Sequence, residues 1–437
     1  MEEARYRAGD LLDFGRRVLE KLGFPARQAQ AACQVLLEGD LRGDPAHGLA
    51  GNIGLMDFLE KMGDQELLGF RRLEAAEYSI DPPRYPTAIS LDAHGCLGHY
   101  AALEILPELV TRAREYGYAK VYIRNSTHFG DCGVYSEMIA EQDLAAKVTC
   151  TAPAWSKPFV EMQNPDPDSP ANRARYQGVK KRLGTNPMAW SIPHDGGVIT
   201  MDMAATQRAV SPALAVARHN QGVAGVFTEN GEPMIMVRGQ KCRLAEVHLE
   251  VAKSATREEA IAKLGLPPEA DLLAAEKGLM MGPNDEEIIF PLAIDSFVKK
   301  DCHVAPLGGS IFGYKGFGLN LLVEMDNVLG GGAPGLIRQL GPNGLSTSKE
   351  RVSQTLEAYA LDAVYPLAQA KQRLAHAVTT TLACSNRLCF LPGQKEREHK
   401  ALALAQGVPL SREGLANLAR VAAHPLVDIP FDLAPVA

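Results

Sequence analysis

At 437 residues the chain has room for two or three globular domains, and with 46% hydrophobic and 22% charged residues it can bury a sizeable core, which excludes an intrinsically disordered protein. Forty glycines and 28 prolines speak for many tight turns rather than a long helical bundle. Lys+Arg 45 against Asp+Glu 52 leaves a net charge of −7, so no overall basic field recommends nucleic acid as a partner. Eight scattered cysteines form no C-x-x-C pair and no dense disulfide framework, as expected in a reducing compartment. The opening Met-Glu-Glu-Ala-Arg-Tyr-Arg lacks a signal-peptide core, and no apolar run reaches the roughly 18 residues of a membrane span. The expectation is a cytoplasmic protein with no membrane partner.

In chain order, Leu11, Leu12, Phe14, Val18, Leu19 and Leu22 recur at helical spacing until Gly23-Phe24-Pro25 stops them. A second helix is predicted from about Ala26 through Leu41, ended by Arg42-Gly43-Asp44-Pro45. A third helical stretch covers 97–116. Ala119 to Arg124 then alternates like a strand and runs into Asn125-Ser126-Thr127-His128-Phe129-Gly130. Residues 156–183, rich in Pro, Asp, Asn, Arg and Lys, read as an exposed excursion. Short strands follow at Met188–Ile192, Val198–Met201 and Met234–Val237. Gly318 to Met325 reads as a helix opening behind a glycine-rich turn, and the tail from about Ser346 reads as mostly helical. Helices, a strand-rich centre and helices again give an α/β or α+β body without internal repeats.

The common nucleotide and hydrolase signatures are missing. No G-x-G-x-x-G follows a strand, and there is no P-loop, G-x-S-x-G elbow or H-E-x-x-H. Gly330 to Gly335 has suitable glycine spacing but follows a helix, so it reads as a loop. Five short polar motifs remain. Asp40-Leu41-Arg42-Gly43-Asp44-Pro45-Ala46-His47-Gly48 sets a histidine in a turn, where it is either a proton-transfer group at neutral pH or a cap or surface residue. The 125–130 block sits at a strand's end, where loops carry ligand contacts, or is a turn closed by Asn and Ser. Gly184-Thr185-Asn186-Pro187 is a tight turn offering a hydroxyl and an amide. Asp202-Met203-Ala204-Ala205-Thr206 is a helix cap or a carboxylate held beside a ligand. Gly313-Tyr314-Lys315-Gly316-Phe317-Gly318 is expected just before a helix, with Lys315 at its N-terminus suited to phosphate.

In this order and spacing, together with Asp92-Ala93-His94-Gly95-Cys96-Leu97-Gly98 and Leu391-Pro392-Gly393-Gln394, these blocks resemble one family. It is the family of malate, L-lactate and ureidoglycolate dehydrogenases, which also holds diketogulonate, sulfolactate and cyclic-imine reductases. The resemblance runs from about residue 8 to about 420. It implies a non-Rossmann fold binding NAD or NADP, with helical terminal segments around a strand-rich central domain. The implied division is 1–124 as the N-terminal part of the body, 125–345 as a central cofactor domain with an insertion at about 156–183, and 346–437 packing back on the body.

By resemblance, His47 protonates the substrate as hydride arrives, and His128 beside the nicotinamide is the second candidate for that role; His47 is favoured. His128, Phe129, Gly130, Asp202, Met203, Ala204, Lys315, Gly316, Pro392, Gly393 and Gln394 are the implied cofactor contacts. Thr185 and Asn186 line the substrate side. No metal is implied, and a homodimer is. The implied reaction passes a hydride between nicotinamide and a small polar 2-hydroxy or 2-oxo acid. A cyclic-imine carboxylate reductase, or a non-catalytic ligand-binding descendant, is the alternative.

The chain departs from the family's pattern at several places. Ala46 stands where serine is usual. Gly51, followed by Asn52, stands where an arginine usually pairs the substrate carboxylate. Asp131 and Cys132 replace small residues after His-Phe-Gly. In the insertion, Lys157, Arg173, Arg175 and Lys180 are each either a replacement cation or part of a solvated basic loop.

Overall fold

The computed structural model describes residues 4–44, 46–51, 53–63, 77–152, 156–160, 171, 179, 182–207, 226–229, 232–237, 240–243, 259, 262–263, 280–281, 287–288, 303–331, 352–386 and 388–436. Asn52, Arg173, Arg175, Lys180 and the loop from Gly332 lie outside them.

The chain opens with strand β1 (Ala4–Tyr6) and helices α1 (Ala8–Lys21), α2 (Ala26–Arg42) and α3 (Leu55–Gly63). Leu11, Phe14, Val18 and Leu19 form the buried stripe of α1 that the spacing predicts. α2 ends at Gly43, whose φ of 76° is the left-handed C-cap that glycine adopts without strain. Next come β2 (Ser79–Ile80), β3 (Ala88–Asp92), α4 (Gly98–Tyr116), β4 (Tyr118–Ser126), α5 (Cys132–Ala140) and β5 (Leu144–Cys150). The hairpin β6 (Met188–His194) and β7 (Gly197–Met203) follows. β8 (Val226–Glu229), β9 (Glu232–Val237) and β10 (Gln240–Arg243) make one small sheet, and β11 (Met280–Met281), β12 (Glu287–Ile288) and β13 (His303–Val304) another. The chain closes with α6 (Gly309–Leu329), β14 (Val352–Ala360), α7 (Leu367–Cys384), α8 (Gln394–Gln406), β15 (Val408–Leu410), which pairs with β1, and α9 (Arg412–Ala422).

A seven-stranded sheet in the order β2-β3-β4-β14-β5-β6-β7 is the frame of the molecule. β3 and β4 run parallel and every other neighbouring pair is antiparallel, so the sheet is mixed. Helices α4 and α5 lie against it, and α2 packs on α4, enclosing a continuous core that includes Leu36, Tyr100, Val121, Tyr135, Val148 and Leu356. The fold is mixed α/β, as the sequence predicts, and the first two helices, the 97–116 helix and the strands near 119–124, 188–192 and 198–201 all form.

Two expectations are corrected. The tail is not helical from its start, because β14 runs through 352–360 and supplies the central strand of the sheet. Ser353, Gln354, Thr355 and Glu357 are all buried on it, so polar side chains mask the apolar signal of an inner strand. The glycine block 313–318 lies inside α6 rather than before it, which removes Lys315 from the helix N-terminus. A Cβ at Gly316 would collide with the Leu307 backbone, and the Gly316 N–H itself bonds to the Leu307 carbonyl. That glycine serves a close approach of α6 to the turn that precedes it rather than a phosphate turn.

Candidate active site

The turn carrying His47 is fastened to the end of α2. The buried Asp40 carboxylate accepts the Leu49 N–H at 2.7 Å, and a Cβ on Gly39 would come within 2.8 Å of the His47 carbonyl. Burial pushes the Asp40 carboxyl up to about 7, against the opposing N–H bonds of Leu49 and Ala50. From this turn the half-buried His47 presents Nδ1 to two carboxylates, 2.8 Å from Asp44 Oδ2 and 2.8 Å from Asp131 Oδ1. Burial lowers the proton affinity of the imidazole, but Asp131 and then Asp44 outweigh it and hold the ring well above the ordinary histidine range. For Asp44, burial is overcome by the bond and charge of His47, and its carboxyl is lowered. The three ligand atoms lie within 4.8 Å of one another. Separations of 2.8 Å are hydrogen bonds, however, whereas two atoms sharing a metal at about 2.1 Å stand roughly 3 Å or more apart.

His128 follows β4, on a loop held at several points. Asn125, at φ 53°, donates to Asp92; Thr127 Oγ1 accepts the Gly98 N–H; Gln354 of β14 donates to the Thr127 carbonyl at 2.8 Å. Phe129 is fully buried, stacked on Tyr135, whose hydroxyl donates to the Phe129 carbonyl. Phe129 thus anchors the loop through the core. The imidazoles of His47 and His128 lie parallel at 5.6 Å. His128 Nδ1 accepts the Gly130 N–H at 3.2 Å, which sets its tautomer with the proton on Nε2.

Asp202, near the end of β7, turns Oδ2 to the Gly133 N–H at 2.6 Å, capping α5 from another strand. The protein packed around it and the Asp131 charge push its carboxyl up, against the Gly133 N–H bond and the charges of His47 and Arg42. Arg42 of α2 reaches the same helix through a 2.9 Å pair with Glu137.

The remaining predicted residues are joined by a run of backbone bonds. The Ala205 N–H donates to the Thr185 carbonyl, Leu307 N–H to Ala205, and Gly316 N–H to Leu307, which brings the 184–186 turn, the 202–206 strand end and α6 side by side. Asn186 is fully buried, and its amide is committed: Oδ1 accepts from Ala152 N–H, and Nδ2 donates to Asn320 and Glu324. It therefore locks the turn to α6 and leaves the half-buried Thr185 as the side chain nearer solvent. Lys315 is exposed over the rings of Phe312 and Tyr314. The Pro392 carbonyl accepts the Thr200 N–H of β7, so the 392–394 turn docks on the strand that bears Asp202; the Gln394 side chain caps its own turn at the Leu391 N–H. α8 then braces α2, with His399 Nδ1 on the Leu41 carbonyl and Lys400 on Glu38. Lys157 is 2% exposed, not part of a solvated loop.

The structure adds Asp44, Asp131 and Asp40 to the residues singled out as site-forming. Asp131 was visible in the sequence as a departure after His-Phe-Gly, but its bond to His47 joins distant segments, and no spacing rule reports that.

The sequence profile described as malate/L-lactate dehydrogenase matches residues 6–234. A malate dehydrogenase of Pyrococcus abyssi is 31% identical over 196 residues, 45% of this chain and 47% of that protein. A Δ1-pyrroline-2-carboxylate/Δ1-piperideine-2-carboxylate reductase of Pseudomonas aeruginosa is 26% identical over 194 residues, 43% of this chain and 49% of that protein. Sequence matches thus span about half the length of these curated relatives. In three dimensions, malate dehydrogenase from Pyrococcus horikoshii superimposes with a TM-score of 0.64 at 20% identity, covering 98% of this chain and 96% of that one, a likeness of fold.

Proposed function

Because this chain belongs to the malate/L-lactate dehydrogenase family, we propose that it is an NAD(P)-dependent oxidoreductase of small polar 2-hydroxy or 2-oxo acids, with His47 as the proton donor and acceptor. The observation that carries this reading is the parallel pair of histidines, of which one is clamped by carboxylates and the other is fixed as a neutral tautomer. A bound nicotinamide supplies or accepts the hydride. His47 delivers a proton to the substrate oxygen in reduction and recovers it in oxidation. With both carboxylates on Nδ1, Nε2 is the nitrogen left for that transfer. Asp40, through the Leu49 N–H, keeps the turn in place.

The residues present suit a dinucleotide. The exposed Lys315 ammonium beside the uncovered rings of Phe312 and Tyr314 matches a ligand that joins phosphates to planar rings. Met203 and Ala204 at the β7 end, His128 and Gly130 on their loop, Gly316 on α6 and the docked 392–394 turn are the further groups that would hold it, on the central segment 125–345 and the returning tail. Thr185 faces the substrate side. A fluorescence titration with NADH and NADPH tests the reading, and failure of both to bind overturns it.

The Pseudomonas aeruginosa relative favours one second reading, reduction of a cyclic-imine carboxylate, which needs the same proton on nitrogen instead of oxygen. Rates with 2-oxo acids and with cyclic imines separate the two. We also propose a homodimer. The 18-residue helix α7 has no buried residue, and beside it Trp190 (54% exposed), Leu388 (82%) and Phe390 (60%) leave apolar surface uncovered. No helix among the described residues is long and apolar enough to cross a membrane.

A further inference from the structure

Asp131 occupies the N-cap of α5, where an aspartate ordinarily accepts the N–H two or three residues ahead. It makes no such bond. The N–H in question, that of Gly133, is taken instead by Asp202 from β7, and the Asp131 carboxylate is turned to His47 Nδ1 at 2.8 Å. A Cβ on Gly133 would stand 2.6 Å from Asp202 Oδ2, so glycine is required for this substitute cap. An aspartate diverted from its local bond, with a second aspartate brought in to do the capping, is the arrangement expected if its place beside the imidazole is what matters.

We propose that Asp131 is a positioning residue for His47: with Asp44 it fixes a proton on Nδ1, sets the ring plane parallel to His128, and keeps the ring charged and ready to give up its Nε2 proton in mildly alkaline solution. The catalytic significance rests on the oxidoreductase reading above; the clamp itself does not.

The groups around the imidazole decide the sign. Asp44 comes from its own turn, Asp131 from α5 and Asp202 from β7, all acidic. Asp40 lies beneath the turn. Opposing them are Arg42, already paired with Glu137 and Glu38, and His128, whose Nδ1 is an acceptor. Nearby carboxylates thus outnumber the cations, and a charged imidazole is favoured although burial works against it. Asp44 alone can supply one hydrogen bond to Nδ1. The second carboxylate adds attraction across a different direction and restricts ring rotation.

The test is histidine C2–H deuterium exchange read by mass spectrometry, which gives a titration midpoint for His47 in the folded chain without cofactor or substrate. The native midpoint is expected above the ordinary value of about 6.5. Asp131→Asn, nearly isosteric, should lower it by about 1 unit or more, a roughly tenfold change in the neutral fraction at a pH below both midpoints. Asp131→Glu should restore part of the shift, and the circular dichroism spectrum should stay native because the α5 cap is supplied by Asp202. An unchanged midpoint in Asp131→Asn, or a native midpoint at or below the ordinary value, overturns the proposal. If Asp131→Asn does not fold, Asp131→Ser takes its place with the same two outcomes. In reductive turnover the variant should lose kcat at pH 8–9 more than at pH 6, with cofactor KM unchanged. NADH and NADPH titrations on the same preparations are read separately: failure to bind removes the oxidoreductase reading, while the clamp stands or falls on the midpoint.

Discussion

The rings of His47 and His128 are parallel to within 2° at 5.6 Å, yet they are prepared for different work. His47 has both its contacts on Nδ1 and both are carboxylates; His128 uses Nδ1 to accept a backbone N–H. The first is set up as a charged donor and the second as a ring whose Nδ1 accepts.

Exchange of each ring should therefore fail differently. His47→Gln is expected to lower kcat by about 10²- to 10⁴-fold with cofactor affinity near native. His128→Gln should chiefly weaken NADH or NADPH binding. Steady-state kinetics beside fluorescence titration distinguish them, and equal loss of kcat in both would contradict the division of roles.

Asp40 gives a pH signature. A carboxyl whose folded-state pKa is pushed up to about 7 holds its proton longer in the folded chain than in the unfolded one, where about 3.9 applies. Its contribution to stability is complete below about pH 4 and is lost as the pH rises to about 7. Asp40→Asn never ionises, so native stability relative to this variant should fall between pH 5 and pH 7 by at most about 1.4 kcal/mol per pH unit, and then level off. Paired thermal melts across that range measure it; a constant difference would show that Asp40 is ionised throughout.

Two helix glycines should respond in opposite directions to alanine. Gly9 of α1 has open space around its missing Cβ, so Gly9→Ala should stabilise by roughly 0.5–1 kcal/mol. Gly39 of α2 lies against the His47 backbone, and Gly39→Ala should cost about 1–3 kcal/mol while displacing the turn that carries His47. Denaturant midpoints and kcat together check the pair, the second variant losing both.

The apolar surface beside α7 predicts a change of assembly. Leu388→Asp with Phe390→Asp should shift the chain from dimer to monomer in analytical ultracentrifugation, leaving the circular dichroism spectrum unchanged. A native chain that sediments as a monomer would remove the dimer.

Much of the frame is legible from local pattern, since Leu11, Phe14, Val18 and Leu19 declare α1 by spacing alone, and Gly43 and Gly117 mark the ends of α2 and α4. β14 is not, because Gln354 and Glu357 are buried only by virtue of partners elsewhere: Gln354 reaches the Thr127 carbonyl, and Glu357 meets Lys120, Lys147 and Tyr118. Gly316 shows a similar limit. Its glycine is visible, but what it approaches is the Leu307 backbone, so the block reads as a turn when it is a helix folded tightly against the turn before it. At the site, His47 and His128 stand out in the sequence. The acids that tell them apart do not, because Asp131 at a helix start has an ordinary reading as a cap, and only its direction in space removes that reading.

The position of β14 also bears on how the molecule is made. β4 and β5 never touch; each is bonded to β14, which is synthesised after both site histidines, Asp131 and Asp202. Until residue 360 has left the ribosome, the nascent chain holds two half-sheets with raw inner edges, each offering unpaired N–H and C=O groups to any passing strand. Closure of the sheet, and with it the Gln354 bond to the loop of His128, must await the last quarter of translation. A fragment ending near residue 234 would carry both histidines and Asp40, Asp44, Asp131 and Asp202, yet lack the strand that joins its two halves.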